Sequence, residues 1–236
     1  FSTFDQYNFE SRKYLPYIDD TNDGTYKSNA ISNQSIFYSN ALKVAHTNFP
    51  FADKELDGSG KIVKQGAAGE PWQLDGHYNS FEYSYNDAQD NIRKWDISVD
   101  GTYCLAPTTY GSNELYVDVI TDENGKMSRV YTDRNEVVIA TERINDSESL
   151  ITYYVFDEFG RQVFTIPPKA VKLMDQTQSW NTSLLAEDLI YRNEYGLKGR
   201  LEKKYIPGRD EVYYIYDNLD RLILTQNGNQ RNDNLW

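Results

Sequence analysis

The sequence predicts a mainly β fold of consecutive antiparallel hairpins in a long curved sheet, with short helices in an insert near residues 168–190. Three observations carry this expectation. Residues 153–168 read YYVFDEFGRQVFTIPP, two aromatic and β-branched runs around Asp157-Glu158-Phe159-Gly160, which is a hairpin signal. The same turn then recurs along the chain. Finally, 20 Tyr, 10 Phe and 4 Trp supply the large, half-buried side chains that suit strands.

The turn has a physical rationale. Asp at its first position accepts a backbone N–H two residues on, and Gly at its fourth takes the positive φ that closes a type I turn. Arg161 begins the return strand, where its guanidinium is placed to pair with Asp157 or to lie over a ring. The spacing recurs as Asp122-Glu123-Asn124-Gly125-Lys126, and as Tyr216-Asp217-Asn218-Leu219-Asp220-Arg221 with Asp in the Gly place. Tyr195-Gly196-Leu197-Lys198-Gly199-Arg200 keeps Tyr, Gly and Arg but has Gly where Asp is expected. Asp133-Arg134-Asn135-Glu136-Val137 keeps only the Asp, and Phe4-Asp5 keeps only the aromatic and the Asp.

Taken in order, residues 1–18 suggest a strand ending at Leu15-Pro16-Tyr17, followed by a polar loop over 19–34. Ser35 is placed to cap a short helix over 35–45. Asp57-Gly58-Ser59-Gly60 marks a turn between a weak strand and 61–64, and residues 65–71 form a loop that delivers Trp72. Alternation then predicts strands over 81–85 and 95–99, up to an Asp100-Gly101 turn. Further strands follow over 115–120, 127–131, 137–143 and 150–156. Pro167-Pro168 breaks the sheet and starts a helix over 168–174. Thr182 or Ser183 would cap a second helix through 184–189, and strands resume over 191–226. This divides the chain into an N-terminal β-rich region with loops and a degraded repeat, 1–110, and a hairpin region carrying the insert, 111–236.

Composition narrows the function. A net charge of −12 opposes binding to a phosphate backbone, so nucleic acid is not an expected partner. No apolar run approaches the roughly 18 residues of a membrane span. The single Cys104 rules out an internal disulfide. His46, His77 and Cys104 have no spacing suited to zinc or to a Cys–His pair. Asp19-x-Thr21-x-Asp23-Gly24 imitates the start of a calcium loop, but Ala30 stands where a bidentate Glu is needed. The turn aspartates Asp122, Asp157 and Asp217 are therefore read as turn caps rather than calcium ligands. Acidic pairs such as Asp157/Glu158 and Glu187/Asp188 are too common among 36 carboxylates to mark a glycosidase. No catalytic, cofactor-binding or metal-binding residue is assigned, and the chain is expected not to be an enzyme.

Aromatic-Asp-x-x-Gly-Arg units of this kind resemble the YD repeats of the RHS family. Residues 115–166 and 191–230, with YIPGRDEVYYIYDNLDRLILTQNGNQR the sharpest part, resemble a segment of unknown function in large bacterial RHS-repeat surface proteins. So do Tyr14-Leu15-Pro16-Tyr17 and residues 65–72, QGAAGEPW. On that resemblance the repeat-motif residues are Asp122, Gly125, Lys126, Phe156, Asp157, Gly160, Arg161, Tyr195, Gly199, Arg200, Tyr216, Asp217 and Arg221. It implies a structural segment of a β-shell wall around a hollow, in a bacterial cell-surface or secreted protein associated with toxins. The implied partners are the remainder of that larger protein and an enclosed C-terminal domain. The alternative is a carbohydrate-binding or adhesion module, with Tyr154, Tyr214 and Tyr216 stacking on glycan; cross-strand pairing of the same rings is the competing role. Phe4-Asp5 opens inside a degraded repeat and Leu235-Trp236 follows without a terminating element, so the chain reads as a piece of something longer.

Overall fold

Short turns between aromatic and β-branched runs put sequential strands side by side, and the computed structural model has that arrangement. It describes residues 1–19, 24–40, 48–145, 148–184, 188–233 and 235. The first strands are β1 (Ser2–Phe4), β2 (Glu10–Tyr14), β3 (Phe51–Leu56), β4 (Ile62–Gln65) and β5 (Asn79–Tyr85). Next come β6 (Arg93–Ile97), β7 (Cys104–Thr109), β8 (Tyr116–Thr121), β9 (Met127–Thr132), β10 (Val138–Asn145) and β11 (Glu148–Phe156). The last are β12 (Gln162–Ile166), β13 (Tyr191–Tyr195), β14 (Leu201–Tyr205), β15 (Val212–Tyr216) and β16 (Leu222–Gln226). The helices are α1 (Ala30–Ser39), α2 (Pro168–Thr177) and α3 (Gly228–Asn232), with 3-10 turns at Glu70–Trp72, Ala88–Asp90 and Thr182–Leu184.

Among the described residues, 14 strands form one antiparallel sheet in chain order, from β1 through β5 and then β8 to β16, while β6 and β7 pair separately. The mainly β, hairpin-after-hairpin class is thus as the sequence predicts. Five hairpins carry a register shift at the residue just before the turn: Thr3/Phe4, Glu55/Leu56, Val155/Phe156, Glu194/Tyr195 and Ile215/Tyr216. Each shift leaves one residue of the return strand unpaired, as Val163 is between Gln162 and Phe164, and is a one-residue bulge.

Three expectations need correction. Residues 1–18 hold two strands, β1 and β2, because Asp5 nucleates its own turn between them. Helix α1 starts at Ala30 after Asn29, so Ser35 lies inside it rather than capping it. The side chain that fixes α1 is Gln34, fully buried and donating through Nε2 to the carbonyls of Leu15 (2.9 Å) and Pro50 (2.7 Å). Of the second helix expected through 184–189, the described residues hold the 3-10 turn Thr182–Leu184, and residues 185–187 lie outside them. His46, Thr21, Asp23, Glu187 and the end of the helix expected over 35–45 lie outside the described residues.

The chain divides into two compact units. The first, Phe1–Tyr83 with Asp118–Ser128, is held by rings rather than aliphatic packing. Phe1 stacks on Tyr14 at 4.6 Å, and Phe51 meets both Tyr14 and Phe49 at 5.9 Å. Its second buried amide, Gln73, donates through Nε2 to the carbonyls of Ala67 and Gly69, with Phe51 O at 3.3 Å, so the loop that delivers Trp72 is tied to the end of β3.

The second unit, Ser84–Val117 with Arg129–Trp236, holds the aliphatic core. Tyr153, Val155, Phe164 and Ile166 from β11 and β12 are buried with Ala170 and Met174 of α2, and with Ile190, Ile92, Cys104 and Ala106. Burying a side chain of the Phe or Ile kind stabilises by about 1.5–3 kcal/mol. Trp180, after α2, is sandwiched by Arg93 (3.9 Å to the ring centre) and the edge of Trp95 (6.3 Å). Its carbonyl accepts from Ala106 N at 2.9 Å. Two residues on, the buried Thr182 Oγ1 accepts from Cys104 N at 2.9 Å. Burial pushes the Cys104 thiol up to about 12, so it stays protonated and packs as a small apolar side chain.

Replacing Thr182 by Val keeps the shape but leaves the Cys104 N–H buried without an acceptor. The expected loss is about 1–3 kcal/mol in urea unfolding, and an unchanged midpoint would mean that this strap does not hold the small sheet.

Candidate functional site: the repeated aspartate turn

The residues singled out by the repeat converge on one local structure, built most fully at Asp157. Its Oδ1 accepts from Phe159 N (3.0 Å) and Arg161 N (2.9 Å), and its Oδ2 takes Nε of Arg161 at 2.7 Å. The backbone closes around it: Gly160 N donates to Asp157 O, and Asp157 N donates to Arg161 O, each at 3.0 Å. Gly160 has φ +73°, the left-handed value expected from the turn type. Arg161 does both things foreseen for it, pairing with Asp157 and lying 4.9 Å from the Phe159 ring and 4.8 Å from Tyr195.

The same hydrogen bonds recur at Asp122, where Oδ1 accepts from Asn124 N and Lys126 N and Gly125 has φ +78°. At Asp217 they run to Leu219 N and Arg221 N, Arg221 Nε reaches Oδ2 at 2.7 Å, and Asp220 takes the left-handed place with φ +61°. The Gly196 turn closes through the backbone alone, with Gly199 at φ +73°. Arg200 there points forward instead, to Asp217 O (3.1 Å) and Asp220 Oδ1 (2.8 Å).

Sequence reasoning undercounted the set. Asp5, Asp57 and Asp133 make the same pair of bonds from their Oδ1 atoms to the backbone two and four residues on. Their fourth residues are Asn8 (φ +66°), Gly60 (φ +85°) and Glu136 (φ +63°). The constant feature is therefore the Asp; glycine at the fourth position is one of several residues that reach the left-handed region, Asn and Asp being the readiest after it.

At Asp57, Asp157 and Asp217 these bonds lower the carboxylate. Hydrogen bonds from Ser59 and the Lys61 backbone lower Asp57, and those from the Arg221 backbone and side chain lower Asp217. Partial burial pushes Asp157 up, but the Arg161 side chain and the N–H groups of Arg161 and Phe159 outweigh it and hold it below the usual range. In the related turn before β7, Ser98 and Thr102 bring Asp100 down to about 2. Every donor at these aspartates is an N–H or O–H, and a cation at Asp157 would have to displace Arg161. Among the described residues, no group of three or more His, Cys, Asp or Glu side chains is arranged to hold a metal ion.

The aromatics before the turns are half-buried. Tyr195 OH donates to Gln162 O (3.0 Å), and Tyr216 lies 5.2 Å from the Arg200 guanidinium. Phe156 sits at the bulge before Asp157. Tyr154 faces Thr165 across the strand pair, and its OH lies 3.4 Å from Thr141 Oγ1. Tyr214 faces Thr225 in the same manner. Of the three rings proposed to stack on glycan, Tyr154 and Tyr214 are thus cross-strand neighbours of threonines, and Tyr216 faces Leu222. More exposed are Tyr85 and Tyr116, whose ring centres lie 5.4 Å apart. His77 is exposed, tilted against Trp72 at 5.5 Å, with Nδ1 3.1 Å from Glu123 O.

One polar centre was not anticipated. Glu142, buried on β10, accepts from Tyr131 OH (3.0 Å) and Ser149 Oγ (2.6 Å), with Arg129 Nη1 at 3.5 Å from it and 3.6 Å from Asp90. Burial, then the Glu142 charge, pushes Tyr131 upward, so the phenol donates rather than ionises. The nearest cleft in this unit, about 540 Å³, is bounded by Asp90, Arg93, Ser149, Tyr153, Lys172 and Trp180. Glu142 is spent on neighbours and is not among the groups facing that cleft. No sequence signal marks it, since a single Glu on an alternating strand reads as solvent-facing.

Residues 1–85 match the model of a family described as a domain of unknown function (DUF6443). No curated protein matches the chain. Among solved structures, the chain is similar to a TcdB2-TccC3-TEV structure at 15% identity and TM-score 0.57, covering 96% of this chain and 9% of that one. TcdB2-TccC3 without its hypervariable C-terminal region gives 15% identity, TM-score 0.58 and the same coverage. A Photorhabdus luminescens Tc holotoxin pore gives 14% identity and TM-score 0.57, again over 96% of this chain and 9% of that one. The likeness is one of fold, and the chain spans less than a tenth of the length of each.

Asp157→Ala removes three acceptor contacts and is expected to cost about 0.5–2 kcal/mol, by analogy with helix caps. Gly160→Val should cost more, because a β-branched residue resists positive φ; the order of the two urea midpoints checks this. The pH dependence follows from the depressed carboxylates. Their stabilisation is complete above the ordinary Asp range, about pH 4, and is lost as pH falls through the lower folded values. Thermal unfolding between pH 5 and 2 should therefore show Tm falling below about pH 4, and the fall should be smaller in Asp157→Asn. A flat profile would mean that the carboxylates contribute nothing.

Proposed function

We propose that the chain is a non-enzymatic wall segment of a much larger RHS/YD-repeat protein, a β-shell of the surface or secreted kind, rather than a site of chemistry. The observation that carries this reading is the turn itself. Asp5, Asp57, Asp122, Asp133, Asp157 and Asp217 spend their carboxylates on closing hairpins, so the conspicuous polar residues of the sequence serve the scaffold. The match of 96% of this chain to 9% of each TcdB2-TccC3 chain supports the same reading, since the fold there is one part of a much longer polypeptide. Among the described residues no helix is long and apolar enough to cross a membrane. On this reading the partners are the rest of the larger protein and a domain that its hollow encloses.

A second reading, glycan binding through the sheet aromatics, has one observation in its favour. Tyr85 and Tyr116 stand exposed side by side, their ring planes 39° apart, and present aromatic faces of the kind sugars stack on.

Electron microscopy of the full-length polypeptide that carries this chain tests the first reading. The expected image is a hollow particle with these strands in its wall; an isolated solid domain would overturn it. A glycan array probed with the chain and with Tyr85→Ala separates the second. Saccharide binding lost in the variant would establish it, and an empty array would remove it.

A further inference from the structure

Four of the recurring turns, those at Asp5, Asp57, Asp157 and Gly196, are stitched to their neighbours by one residue, the fifth, which opens the return strand. Phe9, the fifth residue of the Asp5 turn, lies over the next turn so closely that a Cβ on Gly60 would meet its ring at 2.6 Å. Lys61, the fifth residue of the Asp57 turn, holds Nζ 4.4 Å from the Tyr83 ring. Arg161 sits 4.8 Å from Tyr195, and Arg200 sits 5.2 Å from Tyr216. The three cation–ring pairs share one register. Each lies three residues beyond a recorded cross-strand pair: Lys64 with Ser80, Phe164 with Arg192, and Lys203 with Tyr213. In each case the ring belongs to the strand that pairs next with the return strand.

Arg221 is the fifth residue of the Asp217 turn and opens β16, the last strand in the sheet order. Its clamp on Asp217 copies that of Arg161 on Asp157, with 2.7 Å contacts in both. What differs is cover. The Arg161 and Arg200 side chains are 27% and 23% exposed, whereas that of Arg221 is 72% exposed. Beside it Leu222, Ile223 and Leu224 are 50%, 54% and 41% exposed, on a strand whose register partners all lie on one side, in β15. An apolar edge of this kind, left open, invites a further strand.

We propose that β16 is a receiving edge with a defined recognition rule. It takes an antiparallel strand whose residue facing Arg221 is Tyr or Phe, and in the pattern of Tyr195 and Tyr216 that residue stands immediately before a turn. The occupant is a further hairpin of the same kind from the same larger protein, so the proposal rests on the wall reading. The guanidinium of Arg221, already oriented by Asp217, supplies the cation for that ring. The apolar side chains of β16 supply the area, and its outward backbone groups supply the ladder.

The test uses the chain with a synthetic hairpin copying residues 212–226, its strand ends joined by a disulfide, and the same peptide with Tyr216→Ala. Binding is followed by amide shifts of the protein. The expected result is perturbation confined to residues 221–226, with about tenfold weaker binding by the alanine peptide, the scale of a partly desolvated cation–ring contact. Altering the peptide leaves the protein's own fold untouched; Arg221→Lys in the protein, which keeps the charge but loses the planar stack, should weaken the unaltered peptide alone. Equal binding by both peptides overturns the rule while leaving the wall reading to the imaging experiment. No shift with either peptide overturns the receiving edge. Self-association of the chain in sedimentation, abolished by Phe4→Ala, would make a second copy the occupant and would overturn the proposal as well.

Discussion

A carboxylate that accepts two backbone N–H groups, two and four residues downstream, is the constraint on which the rest of this molecule depends. It holds the chain in a type I turn followed by a left-handed residue and so fixes which residues face each other across the hairpin. Because side chains alternate faces along a strand, a slip of one residue would exchange core and solvent faces throughout that hairpin. At Asp157 the turn sets the register that buries Tyr153 and Val155 against Phe164 and Ile166. The same bonds at Asp217 order β15 and β16, where the burial to be gained is far smaller. The turn is thus independent of the core that it serves.

Much of this was legible. Alternating aromatic runs gave the strands after residue 80 other than β7, Pro167-Pro168 placed α2, and D-x-x-G-R gave the turn together with its arginine. What was not legible has physical causes. The turns at Asp5 and Asp133 were discounted because Asn8 and Glu136 replace glycine, yet both residues take positive φ once the carboxylate bonds compensate for the strain. α1 was misplaced because its anchor is a buried amide, Gln34, and a glutamine in a polar stretch carries no hydrophobic signature. The Glu142 centre was missed for the same reason, since its partners Tyr131 and Ser149 lie on other strands. Local chemistry is readable from spacing; polar groups satisfied at long range are not.

On the proposed rule, the fifth residue of the turn is what selects the neighbouring hairpin. Backbone ladders alone do not distinguish one partner strand from another. A planar cation over a ring adds direction, and Arg161 and Arg200 place it at equivalent rungs. Phe9 over Gly60 shows the apolar version, in which absence of a side chain at the glycine is itself the complement.

The contrast between the two units has a consequence for how the molecule opens. In the first unit the strands are joined by ring stacks and by two buried glutamines, while the aliphatic residues buried deepest all belong to the second. Local opening free energy follows buried apolar area, so amide hydrogens in β1 to β4 exchange through low-energy openings, and those of β11 and β12 exchange only as the second unit unfolds. Protection from solvent deuterium is therefore graded along a sheet whose hydrogen-bond pattern is uniform. The slowest-exchanging amides mark the foldon built on Tyr153, Phe164 and Met174.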